Sequence, residues 1–169
     1  MAPRGLMTLA ATAALVGCAA LGSCDEKAGA EVEPVRIGGE WFHLELAADD
    51  ATRIKGLGDR DYIAPDGGML FVFPSAQVRS FVMRDCLVPI DIAFLDAAGR
   101  VVSMHEMTVE PPRAEGESDL AYDRRLRQYS SRFPMVFAVE TAGGRLKEVG
   151  LKVGDRVGLD ARRLRQRAR

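Results

Sequence analysis

The stretch Leu87-Val-Pro-Ile-Asp-Ile-Ala-Phe-Leu-Asp96 decides the fold. On an extended chain Ile90, Ile92 and Phe94 share one face, and Asp91, Ala93 and Leu95 share the other. Both faces are apolar around the acid, so the stretch reads as a strand buried on both sides. Pro89 cannot donate a ladder hydrogen bond and belongs at a strand start, a bulge or an edge. A carboxylate left alone in such a strand would cost several kcal/mol. Asp91 must therefore accept hydrogen bonds, from backbone amides near a bulge at Pro89 or from Arg53, Arg60, Arg79 or Arg84. Two roles fit it: an acid that pins a turn or strand crossing, and an acid that faces a ligand at the mouth of a pocket.

The neighbouring segments read as short strands separated by turn residues. Val35–Ile37 and Trp41–Leu46 flank Gly38-Gly39 as a hairpin, the second strand alternating Phe42, Leu44, Leu46 against His43 and Glu45. Asp49 or Asp50 caps a short helix from Ala51 to Leu57 that Gly58 stops. Met69–Phe73 is a wholly apolar run ended by Pro74. Ser80–Met83, Arg100–Met107, Met135–Glu140 and Arg156–Leu159 are further strands. Residues 96–99 form a hairpin turn, and 110–118 an exposed loop. Asp119 caps a helix running to Arg127, and Gly143-Gly144 opens another that runs to Val149. Ala161–Arg169, with five arginines in nine residues, reads as a frayed basic tail. The pattern defines an α+β domain, mainly antiparallel β, with a small barrel-like curled sheet and short peripheral helices.

The N-terminus carries different information. One charge, Arg4, precedes an apolar run from Leu6 to Val16 that is too short to span a bilayer and suits a secretory signal. It ends in Leu15-Val-Gly-Cys18, which resembles a bacterial lipobox; Leu21-Gly-Ser-Cys24 is a second version. We assign lipidation to Cys18. The expected organisation is a signal with lipobox over 1–24, a tether over 25–34, a single domain over 35–160 and the basic tail over 161–169. Acyl chains hold a protein on a membrane at about 0.8 kcal/mol per buried methylene. The expected location is therefore the bacterial cell envelope, facing the periplasm or the exterior.

The formal net charge is −1 and 47% of residues are hydrophobic, which supports a packed core and gives no global basic surface for nucleic acid. No glycine-rich loop leads from a strand into a helix, so a nucleotide fold is not indicated. No cofactor is expected. Cys86 reads as a buried apolar thiol, with pairing to Cys24 as the other option.

Several motifs keep a common order: Arg53-Ile-Lys-Gly-Leu-Gly-x-Arg60, Gly68-Met-Leu-Phe-Val-Phe73, and Phe81-Val-Met-Arg-Asp-Cys-x-x-Pro-Ile-Asp-Ile-x-Phe94. Gly99–Val102, the Met107-x-x-x-Pro111 region, Tyr129-Ser-Ser-x-x-Pro134, Ala138-x-Glu140-x-x-Gly143 and Val153-Gly-Asp155 follow. Together they resemble the domain of unknown function 192 family over roughly residues 40 to 160. Against that family's usual pattern Gly58 stands for Met, Val82 for Trp, Asp85 for Asn and Cys86 for Thr. The segment from Glu110 to Arg127 also looks longer than the family core needs. The resemblance implies a small secreted or membrane-anchored barrel-like domain, and no reaction.

The expected site is a polar pocket lined by Arg79, Arg84, Asp85 and Asp91 with Met83 as an apolar contact. It would receive a small molecule or a protein partner without turnover. Two other readings compete. Asp85 and Asp91 could be a carboxylate pair that hydrolyses envelope polymers. His105 with Met104, Met107, Met83 or His43 could bind copper, although strand alternation brings only His105 and Met107 together locally.

Overall fold

The computed structural model describes residues 31–169; the signal, the lipobox at Cys18 and Cys24, and residues 25–30 of the tether lie outside them. A hairpin opens the domain, β1 (Val32–Ile37) against β2 (Glu40–Ala47), so that the last residues expected in the tether are already strand. Helix α1 (Asp50–Lys55) follows, and the chain then returns as β3 (Met69–Gln77) parallel to β2. The long connection through residues 48–68 is what permits a parallel pair. β4 (Ser80–Phe81), β5 (Ile90–Leu95) and β6 (Val101–Met107) come next. Helix α2 (Asp119–Arg125), β7 (Tyr129–Ser130), β8 (Met135–Ala142), α3 (Arg145–Glu148) and α4 (Ala161–Arg165) complete the fold.

Six strands form one sheet in the order β1-β2-β3-β8-β5-β6, antiparallel except at β2–β3, and β4 pairs separately with β7. β5 is buried along its whole length, as its sequence requires. One face of the sheet packs Val35, Phe42, Leu70, Leu95, Val139 and Leu146. The other packs Leu57, Phe71, Met83, Ile92, Phe94 and Tyr129. Burying both faces explains why β5 and β8 are apolar on both sides apart from Asp91, Glu140 and Thr141.

The sheet is not a closed barrel. Its edge strands β1 and β6 do not pair with each other. Arg156–Leu159, expected as a last strand, makes only isolated bridges, Gly158 to Arg36 and Arg156 to Arg100. Arg36 N–H donates to Gly158 O at 2.9 Å, and Val101 N–H donates to Asp155 O at 2.9 Å.

Several local outcomes differ from the sequence reading. β4 stops at Phe81, short of Met83, and α2 is capped by Ser118 rather than Asp119 and ends at Arg125 rather than Arg127. β3 does not end at Pro74; it continues to Gln77 through a register shift between Val72 and Gln77, where the missing proline N–H leaves no broken ladder bond. α1 stops at Gly56, whose φ of 52° ends the helix two residues before Gly58. The basic tail is not frayed. Its segment 161–165 is helical, Leu164 is fully buried, Arg163 pairs with Glu33, Arg167 pairs with Glu31, and Arg169 N–H donates to Ala48 O at 2.9 Å.

Candidate functional site

Among the cavities of the described residues, two lie on opposite faces of the sheet. The first, of about 360 Å³, lies between α1, the 56–58 turn, β3, β4 and the 82–86 turn. Its α1 wall forms because Asp49 caps the helix, accepting from Thr52 N–H at 2.9 Å. That places Arg53 under the helix with its side chain only 7% exposed. The Arg53 guanidinium donates to Val72 O at 2.7 Å, to Asp50 Oδ1 at 2.7 Å and to Arg169 O at 2.6 Å. It also lies 5.2 Å from the Phe73 ring centre. Phe71, Phe73 and Phe81 give the cavity aromatic walls, the Phe71 and Phe81 rings meeting edge to face at 5.1 Å.

The opposite wall is the turn at residues 83–86. Asp85 adopts φ 54°, an uncommon conformation for a residue with a side chain, and its carbonyl accepts from Asp59 N–H at 2.7 Å. Tyr122 of α2 fixes this turn through its hydroxyl, which bonds the Asp85 N–H and carboxylate. Arg84 pairs with Asp123 and sits 5.3 Å from the Tyr122 ring centre. The long segment between β6 and β7 therefore serves as a buttress for the turn.

The base of the cavity holds Glu140, in the middle of β8 opposite Met69 and Ile92. It is 5% exposed, and among the described residues no hydrogen bond reaches its side chain. Burial alone pushes its carboxyl up to about 8, so it is largely protonated at neutral pH. Burial, with Glu140 nearby, pushes the Cys86 thiol up to about 12. Cys86 is thus a neutral wall of the cavity and a poor nucleophile. Glu140 was legible only as a member of the Ala138-x-Glu140-x-x-Gly143 motif. The reasoning applied to Asp91, an acid inside an apolar strand, would have found it in Met135–Ala142.

The second cavity, of about 540 Å³, is lined by Asp91, Met104, His105, Glu106, Leu146 and Lys147 among others. Asp91 is 3% exposed. Its Oδ2 accepts from Leu146 N–H at 3.0 Å, at the start of α3, while Oδ1 has no partner. Burial first, then the acids Glu106 and Glu148, raise its carboxyl above the ordinary aspartate value against the pull of the Gly144 and Leu146 amides. The amides come from the start of α3 and its cap rather than from a bulge at Pro89, and among the described residues no arginine reaches the acid. Asp91 pins an element and lines a cavity at once.

The expected site residues are therefore divided. Arg84 lines the first cavity and Asp85 holds its turn. Met83 is buried in the core on the same side. Arg79 is not part of that cavity's lining; it stands 4.1 Å from the Phe73 ring centre, with its Nε buried and unpartnered among the described residues. Asp91 belongs to the other cavity, so Asp85 and Asp91 share no pocket wall. His105 Nε2 donates to Ser130 O at 2.8 Å and its ring packs between Phe94 and Tyr129. Met107 is buried in the core, and His43 is at the surface beside Asp66. Among the described residues no three His, Cys, Asp or Glu side chains gather as a metal site. Three positions that depart from the usual family pattern, Gly58, Val82 and Cys86, all line the first cavity.

Fold and cavities together define a small α+β domain with a buried acid facing a ligand-sized, aromatic-walled space. The model of the DUF192 family, described as an uncharacterized ACR, matches residues 33–159, and the chain belongs to that family. No curated protein matches the chain. A crystal structure from Sinorhizobium meliloti 1021, described as a candidate transcription regulator, is 29% identical with a TM-score of 0.61. The match covers 77% of this chain and 92% of that one. A protein of unknown function from Novosphingobium aromaticivorans DSM 12444 is 26% identical with a TM-score of 0.64, over 78% of this chain and 88% of that one.

Proposed function

We propose that this chain is a cell-envelope lipoprotein whose folded domain binds a small molecule in the aromatic cavity above Glu140, without turnover. The observation that carries the binding role is Glu140 itself. A carboxyl only 5% exposed, open to a cavity of about 360 Å³ and without a protein hydrogen-bond partner among the described residues, is a group that a bound ligand can pair with. The protonated state of Cys86 favours binding over nucleophilic chemistry. The envelope location rests on the apolar N-terminal run and on Cys18.

Two measurements test the reading. Thermal melts of the purified protein against a panel of small polar and apolar compounds should give at least one stabilising compound. Val82→Trp, which fills the cavity, should remove that stabilisation while leaving a cooperative melt. Palmitate labelling in a bacterial host should mark the chain, and Cys18→Ser should abolish the label. A label that survives Cys18→Ser and vanishes with Cys24→Ser would move the anchor.

A further inference from the structure

We propose that the cavity takes a small organic cation, a protonated amine whose ammonium pairs with Glu140 within the walls of Phe71, Phe73 and Phe81. This rests on the cavity being a binding site and goes on to name the ligand class. The argument is one of charge. Three bases line the cavity, and each already has its own acid: Arg53 with Asp50, Lys55 with Asp59, Arg84 with Asp123. Glu140 is the acid left over, with no base against it among the described residues. Arg79, the nearby guanidinium without an acid partner among the described residues, is held over Phe73 and is not part of the cavity wall.

The walls suit the same ligand. Aromatic rings attract a cation through their negative faces, and a desolvated carboxylate beside them supplies the counter-charge. An anion would be repelled by the negative faces of the same rings and would hold Glu140 in its neutral form. A neutral alcohol would gain one hydrogen bond and leave the charge count unchanged. The amine binds by a balanced step. Glu140 gives its proton to solvent, and the carboxylate so formed pairs with the ammonium. The charged and titratable groups facing it are Asp50, Arg53, Lys55, Arg84 and Cys86, and the first four stand in ion pairs.

The test is calorimetric titration of the purified protein at pH 7 with n-butylammonium, n-butanol and butyrate, in two buffers of different ionisation enthalpy. Butylammonium should bind tightest and release a fraction of a proton approaching one. Glu140→Gln, isosteric and neutral, should weaken it ~10-fold or more and abolish the proton release. Butanol or butyrate binding as tightly as the amine, or an unchanged Glu140→Gln, would overturn the cation while Val82→Trp sensitivity kept the cavity. Amine binding that Val82→Trp leaves intact would overturn both, as would the failure of all three probes to bind.

Discussion

The Tyr122 hydroxyl meets Asp85 twice, accepting its backbone N–H at 3.1 Å and donating to its carboxylate at 3.2 Å. One phenol thereby joins the long β6–β7 segment to the turn that walls the aromatic cavity. Tyr122→Phe keeps the buried ring and loses both bonds. We expect it to cost about 1–2 kcal/mol in urea unfolding and to speed proteolysis between residues 108 and 127. A variant as stable and as resistant as wild type would show that the segment is held by its ion pairs alone.

Glu140 sets a pH dependence. In the unfolded chain its carboxyl has the ordinary value of 4.5, and in the fold it titrates at about 8. Between those values the unfolded chain has lost a proton that the folded chain keeps, so stability falls as pH rises from about 4.5 to about 8 and then levels. Asp91, also raised, adds to the early part of that fall. Urea midpoints across this range should decline in wild type and decline much less in Glu140→Gln.

Asp91 is separated from its surroundings by which atom is lost. Asp91→Asn keeps an acceptor for Leu146 N–H and removes a charge that faces Glu106 and Glu148. It should stay within about 1 kcal/mol of wild type at pH 7. Asp91→Ala strands the Leu146 N–H and should cost about 1–3 kcal/mol, with α3 amides exchanging faster in hydrogen exchange. Equal losses in the two variants would mean that the charge, not the acceptor, matters.

The Cys86 thiol, held protonated to about pH 12, should react slowly. At pH 8 iodoacetamide should modify it at least ~10-fold more slowly than it modifies glutathione, and unfolding in urea should remove the difference. A fast folded-state reaction would show an accessible thiolate.

Gly68 is the backbone position with least freedom near the site. Its φ is 136°, and a Cβ there would stand 2.0 Å from the Glu140 carbonyl oxygen. Gly68→Ala should cost about 3 kcal/mol or more, because backbone rather than a side-chain tip must move. Soluble yield and urea midpoint measure it.

The strands were legible where alternation or an unbroken apolar run marked them, as in Phe42–Leu46 and Ile90–Leu95. The weak points were the elements whose partners lie far along the chain. β7 is two residues long and has no periodicity to read. The arginines of the tail masked Ala161, Leu164 and Ala168, which recur at helical spacing and pack on the core. Their fixing partners Glu31 and Glu33 sit at the other end of the domain. For the site, sequence gave Asp91 its burial and Arg84 and Asp85 their neighbourhood. It could not separate Asp91 from Arg84 and the Asp85 turn by the two sides of the sheet, because that depends on which sheet face each element covers.

The short segment at residues 154–158 has an effect beyond holding its own chain. Arg36 and Val101 belong to opposite margins of the sheet, yet both spend their amides on it. An unspent strand margin is a template on which a foreign strand can grow. Here one stretch of backbone occupies part of both templates. That is a guard against sheet-to-sheet clumping, and one placed in the backbone rather than in surface charge.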